Sequence, residues 1–136
     1  MGAATGPIDR KLETLGIDSL TAYASIAVFY SLVHSLLEEY YWRWFVFAQL
    51  RRITSLPVGV VVSSLGFMAH HVILLGTFWG WSSALTWEFS LGVATGGAVW
   101  AWMYERFESV VPIWISHLLV DAGIFLIGYA LVADRF

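Results

Sequence analysis

The stretch LTAYASIAVFYSLVHSLLEEYYWRWFVFAQL, residues 20–50, decides how this chain is built. It is apolar except for a few charged side chains, Glu38, Glu39 and Arg43, and it is longer than the ~20 residues needed to cross a hydrocarbon core. A signal-peptide core is only about 7–15 residues long, so this run reads as a retained membrane span that is tilted or protrudes. Arg51-Arg52 mark its end, and Pro57 closes the loop that follows. Three further apolar runs come after it, at 58–78, 84–104 and 110–132. They are separated by the interfacial turn Trp79-Gly80-Trp81-Ser82-Ser83 and by a loop holding Glu105, Arg106 and Glu108. The expectation is an all-α polytopic bundle of about four transmembrane helices, residues 20–136, behind a polar N-terminal segment, residues 1–19. Gly92, Gly96 and Gly97 on the third span are expected to allow close helix approach.

Composition agrees. Of 136 residues 59% are apolar and 12% are charged, against about 45–50% and about 25% in a soluble domain. A globule this small could not hide so much apolar surface from water. Cysteine is absent, which removes disulfides, thiolate metal sites and a cysteine nucleophile. The net charge of −3 is spread thinly, which excludes a nucleic-acid partner. The Trp and Phe clusters read as lipid-facing or interfacial. Lys and Arg are balanced between the two sides, so orientation is not readable. Brevity points to a prokaryotic inner membrane.

Charged groups at membrane depth cost a few kcal/mol each on insertion scales and need a partner or a task. All four histidines lie inside the expected spans: His34 on the first, the adjacent His70 and His71 on the second, and His117 on the fourth, with Asp121. Glu88 stands on the third, near enough to the interface to reach water. His34 and Glu38, Glu39 and Arg43, Phe67 and His71, and His117 and Asp121 are each i, i+4 pairs, sharing a helix face. Glu38 and Glu39 are about 100° apart around a helix, so they serve different neighbours. Arg43 can neutralise Glu39, which frees Glu38 to face another helix. At ~1.5 Å per residue, Glu38, His71 and Asp121 come to similar depths, the arrangement expected of a shared buried site between helices 1, 2 and 4.

Three short motifs carry a resemblance. Glu38-Glu39-Tyr40-Tyr41-Trp42-Arg43 fits EExxxR, Phe67-Met68-Ala69-His70-His71 fits FxxxH, and His117-Leu118-Leu119-Val120-Asp121 fits Hxxx[N/D]. In this order, each within a span, they resemble the signature of the CAAX-protease and bacteriocin-processing family of intramembrane endopeptidases. The resemblance covers about residues 36–121 and implies catalytic roles for Glu38, His71, His117 and Asp121, supported by Glu39, Arg43, Phe67 and His70. Glu38 is implied as the base for a water held between it and His71, and His117 with Asp121 as the oxyanion stabiliser. Phe67 is implied to pack beneath His71, and Glu39–Arg43 to hold the first span in register. The eukaryotic branch has Asn where this chain has Asp121. Ionised Asp only accepts hydrogen bonds, so Asp121 must be protonated or must orient His117. The family has been discussed as metal-dependent, and Glu38, His71 and His117 are a plausible zinc set. The glutamate-water route needs no cofactor and is preferred because HExxH is absent.

The expected partners are the lipid bilayer and a membrane-associated peptide or protein substrate, with further helices from a partner or a second copy if four do not suffice. Two other readings use the same residues. One is a non-catalytic relative acting in bacteriocin immunity or as a membrane scaffold. The other is a metal- or proton-handling protein using His34, Glu38, His70, His71, Glu88 and His117.

Overall fold

The structure, a computed structural model, describes residues 6–136; residues 1–5 of the polar N-terminal segment lie outside it. Every element among the described residues is helical. In chain order they are α1 Gly6–Thr14, α2 Leu20–Ile53, α3 Leu56–Trp79, α4 Ala84–Phe107 and α5 Val110–Val132. A 3-10 turn, Ala133–Arg135, follows.

The boundaries have local causes. Ser19 caps α2, its hydroxyl accepting from Ala22 N–H at 3.3 Å, which satisfies one of the amides that a helix start leaves open. Arg51 and Arg52 in the last turn of α2 sit where the helix dipole favours positive charge. Pro57 falls in the first turn of α3, where its missing N–H costs nothing. Gly80, at φ 91°, ends α3 in a conformation that side chains resist.

α2, α3 and α5 are long and apolar enough to cross a membrane. α4 stands where the third span was expected and has span length, but Thr86, Glu88, Ser90, Thr95 and Glu105-Arg106 make it less apolar. The length-and-composition criterion is therefore met by three helices, where four were expected. Burial is inverted relative to a soluble protein. Glu38, Glu39, Arg43 and His117 are buried together with six Ser and Thr side chains, while Leu37, Val61, Leu65, Ile73, Leu119, Leu126 and Ile127 are among the exposed. Lipid tails solvate such a surface, so polar groups collect inside.

The chain forms two compact units. One comprises the residues up to Leu36 together with Ile115–Phe136; the other is Leu37–Trp114. In the first, residues 6–19 of the polar N-terminal segment fold back on the unit. Gly16, at φ 68°, ends α1 as Ile17 N–H donates back to Leu12 O at 2.9 Å. Leu12, Ile17 and Val132 then pack together against Ile8, Ala22, Tyr23 and Ile26. Tyr23 donates to Phe125 O at 2.8 Å.

In the second unit α3 and α4 form the most extensive helix pair. Gly97 permits the approach: a Cβ there would stand 3.2 Å from Phe67 and 3.5 Å from the Ser64 backbone. The expectation for the other two glycines does not hold. Gly92 faces open space, and Gly96 lies under Trp100 of its own helix. Arg51 clips the end of this unit, donating to both Glu105 carboxylate oxygens at 2.7 and 3.0 Å and to Thr54 O at 2.8 Å.

Candidate active site

α2 is not a uniform helix where it carries its charges. Two π-helical stretches, Phe29–His34 and Tyr40–Phe47, flank the short α-helical piece Ser35–Glu39. Ser35 N–H donates to Tyr30 O, and Ala48 N–H donates to Arg43 O, each spanning five residues rather than four. Such wide turns recur at functional sites. Glu38 and Glu39 therefore sit at a junction in the helix.

The two glutamates face different neighbours, as the sequence suggests. Glu39 Oε2 lies 3.1 Å from Arg43 Nε, with both side chains buried. The guanidinium carbon sits 4.5 Å from the Phe67 ring centre and 5.5 Å from that of Trp100, and Arg43 Nη2 reaches Gly97 O at 3.4 Å. One arginine thus ties α2 to α3 through Phe67 and to α4 through Gly97 and Trp100. Two aromatic faces and a carboxylate replace the water it has lost. Phe67, Trp100 and Ile113 form the surrounding core, with Trp42 packed against it. This corrects part of the reading of the aromatics as lipid-facing: Tyr40, Tyr41, Trp44 and Phe45 are exposed, but Trp100 and Phe47 are buried and Trp42 turns inward.

Glu38 faces α3. Its side chain is 7% exposed, and Oε1 stands 3.6 Å from His70 Nδ1 and 3.8 Å from His71 Nε2. His71 is 17% exposed and His70 45%, so the cluster opens on the His70 side. Phe67 meets the His71 ring edge-on with centres 4.5 Å apart, the packing expected of FxxxH. His71 Nδ1 lies 3.0 Å from Phe67 O. A carbonyl only accepts, so this nitrogen carries a proton and Nε2 is the ring atom turned to Glu38. Glu38 Oε1 and His71 Nε2 face each other across 3.8 Å.

His70 is held closer than its supporting place in the sequence reading implies. Its ring lies nearly parallel to Trp42, at 16° with centres 6.5 Å apart, and 4.7 Å from that of His71. Trp42 rests on Gly66, where a Cβ would come within 2.8 Å of the indole. Glu38, His70 and His71 offer ligand atoms all within 4.8 Å of one another. This set differs from the zinc set inferred from sequence by having His70 in the place of His117.

His117 and Asp121 belong to the other unit, where they form their own pair on α5: His117 is buried, and its Nε2 lies 3.5 Å from Asp121 Oδ1. His34 is half-buried, its ring tilted by 40° against Tyr30 with centres 4.8 Å apart. Glu88 is exposed near the start of α4, just past its first turn. Sequence reasoning missed Trp42, Trp100 and Gly66; the only available signal was the adjacency of Trp42 to Arg43 within the motif.

Comparison with known proteins gives one family. The model described as type II CAAX prenyl endopeptidase Rce1-like matches residues 20–123, a stretch containing all three motifs. No curated protein and no solved structure matches the chain.

Proposed function

The chain belongs to the Rce1-like type II CAAX prenyl endopeptidase family, and from that premise we propose that it is an intramembrane endopeptidase in which Glu38 activates a water. The observation that carries this reading is Glu38 Oε1 facing His71 Nε2 across 3.8 Å, beside the half-exposed His70. A water between them gives one hydrogen bond to each.

Glu38 takes a proton from that water as its oxygen attacks the scissile carbonyl carbon. The carbonyl oxygen becomes an oxyanion, and collapse of the tetrahedral intermediate passes the proton from Glu38 to the leaving amine. General-base assistance of this kind contributes typically about 10²–10⁴ in rate. His117 takes the oxyanion role by the family's pattern, with Asp121, whose Oδ1 lies 3.5 Å from His117 Nε2, orienting its ring. Arg43 and Glu39 act through packing, fixing the helix that presents Glu38. Zinc, which the resemblance admits, fits Glu38, His70 and His71 by donor set and spacing. There it would supply Lewis-acid polarisation and withdraw Glu38 Oε1 from service as a base.

The substrate class follows from the family and the surroundings: a membrane-associated chain, with a prenylated C-terminal CAAX tail as the first to try. The test is release of the terminal tripeptide from such a peptide in proteoliposomes, followed by mass spectrometry. Wild type releases it, and Glu38→Gln, which keeps size and removes the base, is at least about a hundredfold slower. Equal rates for the two would refute the role of Glu38.

A further inference from the structure

We propose, on the proteolysis reading and with Glu38 kept as its base, that His70 is a substrate-binding residue: its ring hydrogen-bonds the backbone of the peptide beside the bond to be cut.

A peptide that reaches Glu38 leaves water behind, and each backbone N–H and C=O it brings along needs a partner. The helices cannot lend theirs, because helical turns already bond those groups to one another. No strand occurs among the described residues, so there is no free sheet edge for an extended substrate to join. The partner must therefore be a side chain. His70 stands well inside α3, a helix long and apolar enough to cross a membrane, yet its side chain is 45% exposed. Its Nδ1 lies 3.6 Å from Glu38 Oε1, beyond hydrogen-bonding distance, and no hydrogen bond among the described residues engages the ring. A polar group left in that state at membrane depth is costly. Holding a substrate backbone is a task that accounts for it.

Position and rigidity both suit that task. With Nδ1 turned to Glu38, the ring keeps Nε2 for a group in the opening. A hydrogen bond of about 2.9 Å from the ring holds a backbone group within about two residues of the carboxylate, at ~3.3 Å per extended residue. Three rings fix the imidazole. Trp42 lies nearly parallel to it at 16°, Phe67 meets it edge-on at 64°, and the His71 ring centre is 4.7 Å away. Trp42 is in turn seated on Gly66, where a Cβ would come within 2.8 Å of the indole. Trp42 follows Glu38 by four residues and His70 follows Gly66 by four, so the indole is placed by the same two helix faces that carry the base and the imidazole. A ring held in this way loses little freedom when a substrate binds.

The probe is a labelled prenylated CAAX peptide, and its binding is measured apart from cleavage, by fluorescence anisotropy on the full chain carrying Glu38→Gln in detergent. Adding His70→Phe keeps a flat ring against Trp42 and removes the nitrogens; it should raise Kd at least about fivefold, the worth of one hydrogen bond. Adding His70→Gln instead keeps a donor and an acceptor and should leave Kd within about twofold. A role in packing alone gives the opposite order. With Glu38 in place, His70→Phe should raise KM at least about fivefold and leave kcat within about twofold, as a contact made equally before and during the reaction requires. A chain that does not bind the peptide, a His70→Phe variant that binds it as tightly as its parent, or a His70→Gln variant no better than His70→Phe would overturn the proposal. Binding that depends on His70 without cleavage by wild type would support the contact and remove the proteolysis reading. Cleavage with a KM indifferent to His70→Phe would do the reverse.

Discussion

Arg43→Met tests the packing argument at its most demanding point. The substitution keeps most of the side chain's length and removes its charge, leaving Glu39 buried without the guanidinium 3.1 Å away. At that distance, and an effective dielectric of about 20, the attraction is about 5 kcal/mol. Measured losses on breaking one side of a buried pair run about 3–5 kcal/mol. The cation over the Phe67 and Trp100 rings adds about 2 kcal/mol when desolvated, and methionine recovers some of this through sulfur–aromatic contact. A net loss of about 4 kcal/mol corresponds to a fall of roughly 10–20 °C in Tm on the scale of soluble domains near this length. The assay is thermal unfolding in detergent, read by circular dichroism and tryptophan fluorescence. Adding Glu39→Gln to Arg43→Met should restore part of the loss, because the uncompensated charge is gone; the coupling in such a cycle is the direct measure of the pair. A single variant within about 2 °C of wild type, or a double variant whose losses simply add, would refute the reasoning.

Other positions give sharper contrasts. Gly97→Ala places a Cβ 3.2 Å from Phe67 and should cost about 1–3 kcal/mol by overpacking. Gly92→Ala, five residues away in open space, should be neutral or stabilising by up to about 1 kcal/mol; paired melting curves decide. Gly66→Ala should tilt Trp42 away from His70, shifting tryptophan emission and lowering Tm. At the chain's other charged clip, hydrogen bonds from Arg51 hold the Glu105 carboxyl below the usual carboxylate range. Its stabilisation is therefore complete above the unfolded value of about 4.3 and is lost as pH falls through the lower folded value. The Tm difference between wild type and Glu105→Gln should accordingly shrink as pH is lowered from 6 towards 3.

The helices were legible because apolar run length is a one-dimensional property. Residues 110–132 are bounded in the structure as in the sequence reading, and Pro57 and Gly80 punctuate α3 as their backbone chemistry requires. The i, i+4 pairs were legible for the same reason: Glu39–Arg43, Phe67–His71 and His117–Asp121 all meet. The two π-helical stretches around Glu38 were not, since nothing in a periodicity of 3.6 announces a five-residue hydrogen bond. Nor was the difference between Gly97 and Gly92, which depends on what stands opposite in space. His70 shows the limit most clearly. Motif spacing selects its neighbour His71, and only the fold shows that both rings face one carboxylate oxygen.

The central claim is that Glu38 makes this chain a peptidase. Its most direct test assumes no substrate: a quantitative survey of peptide termini in cells carrying wild type or Glu38→Gln at matched levels. The account predicts new termini with wild type that are missing with Glu38→Gln, and those termini name the substrate and the bond cut. Identical termini in the two, with both proteins folded in the membrane, would contradict it.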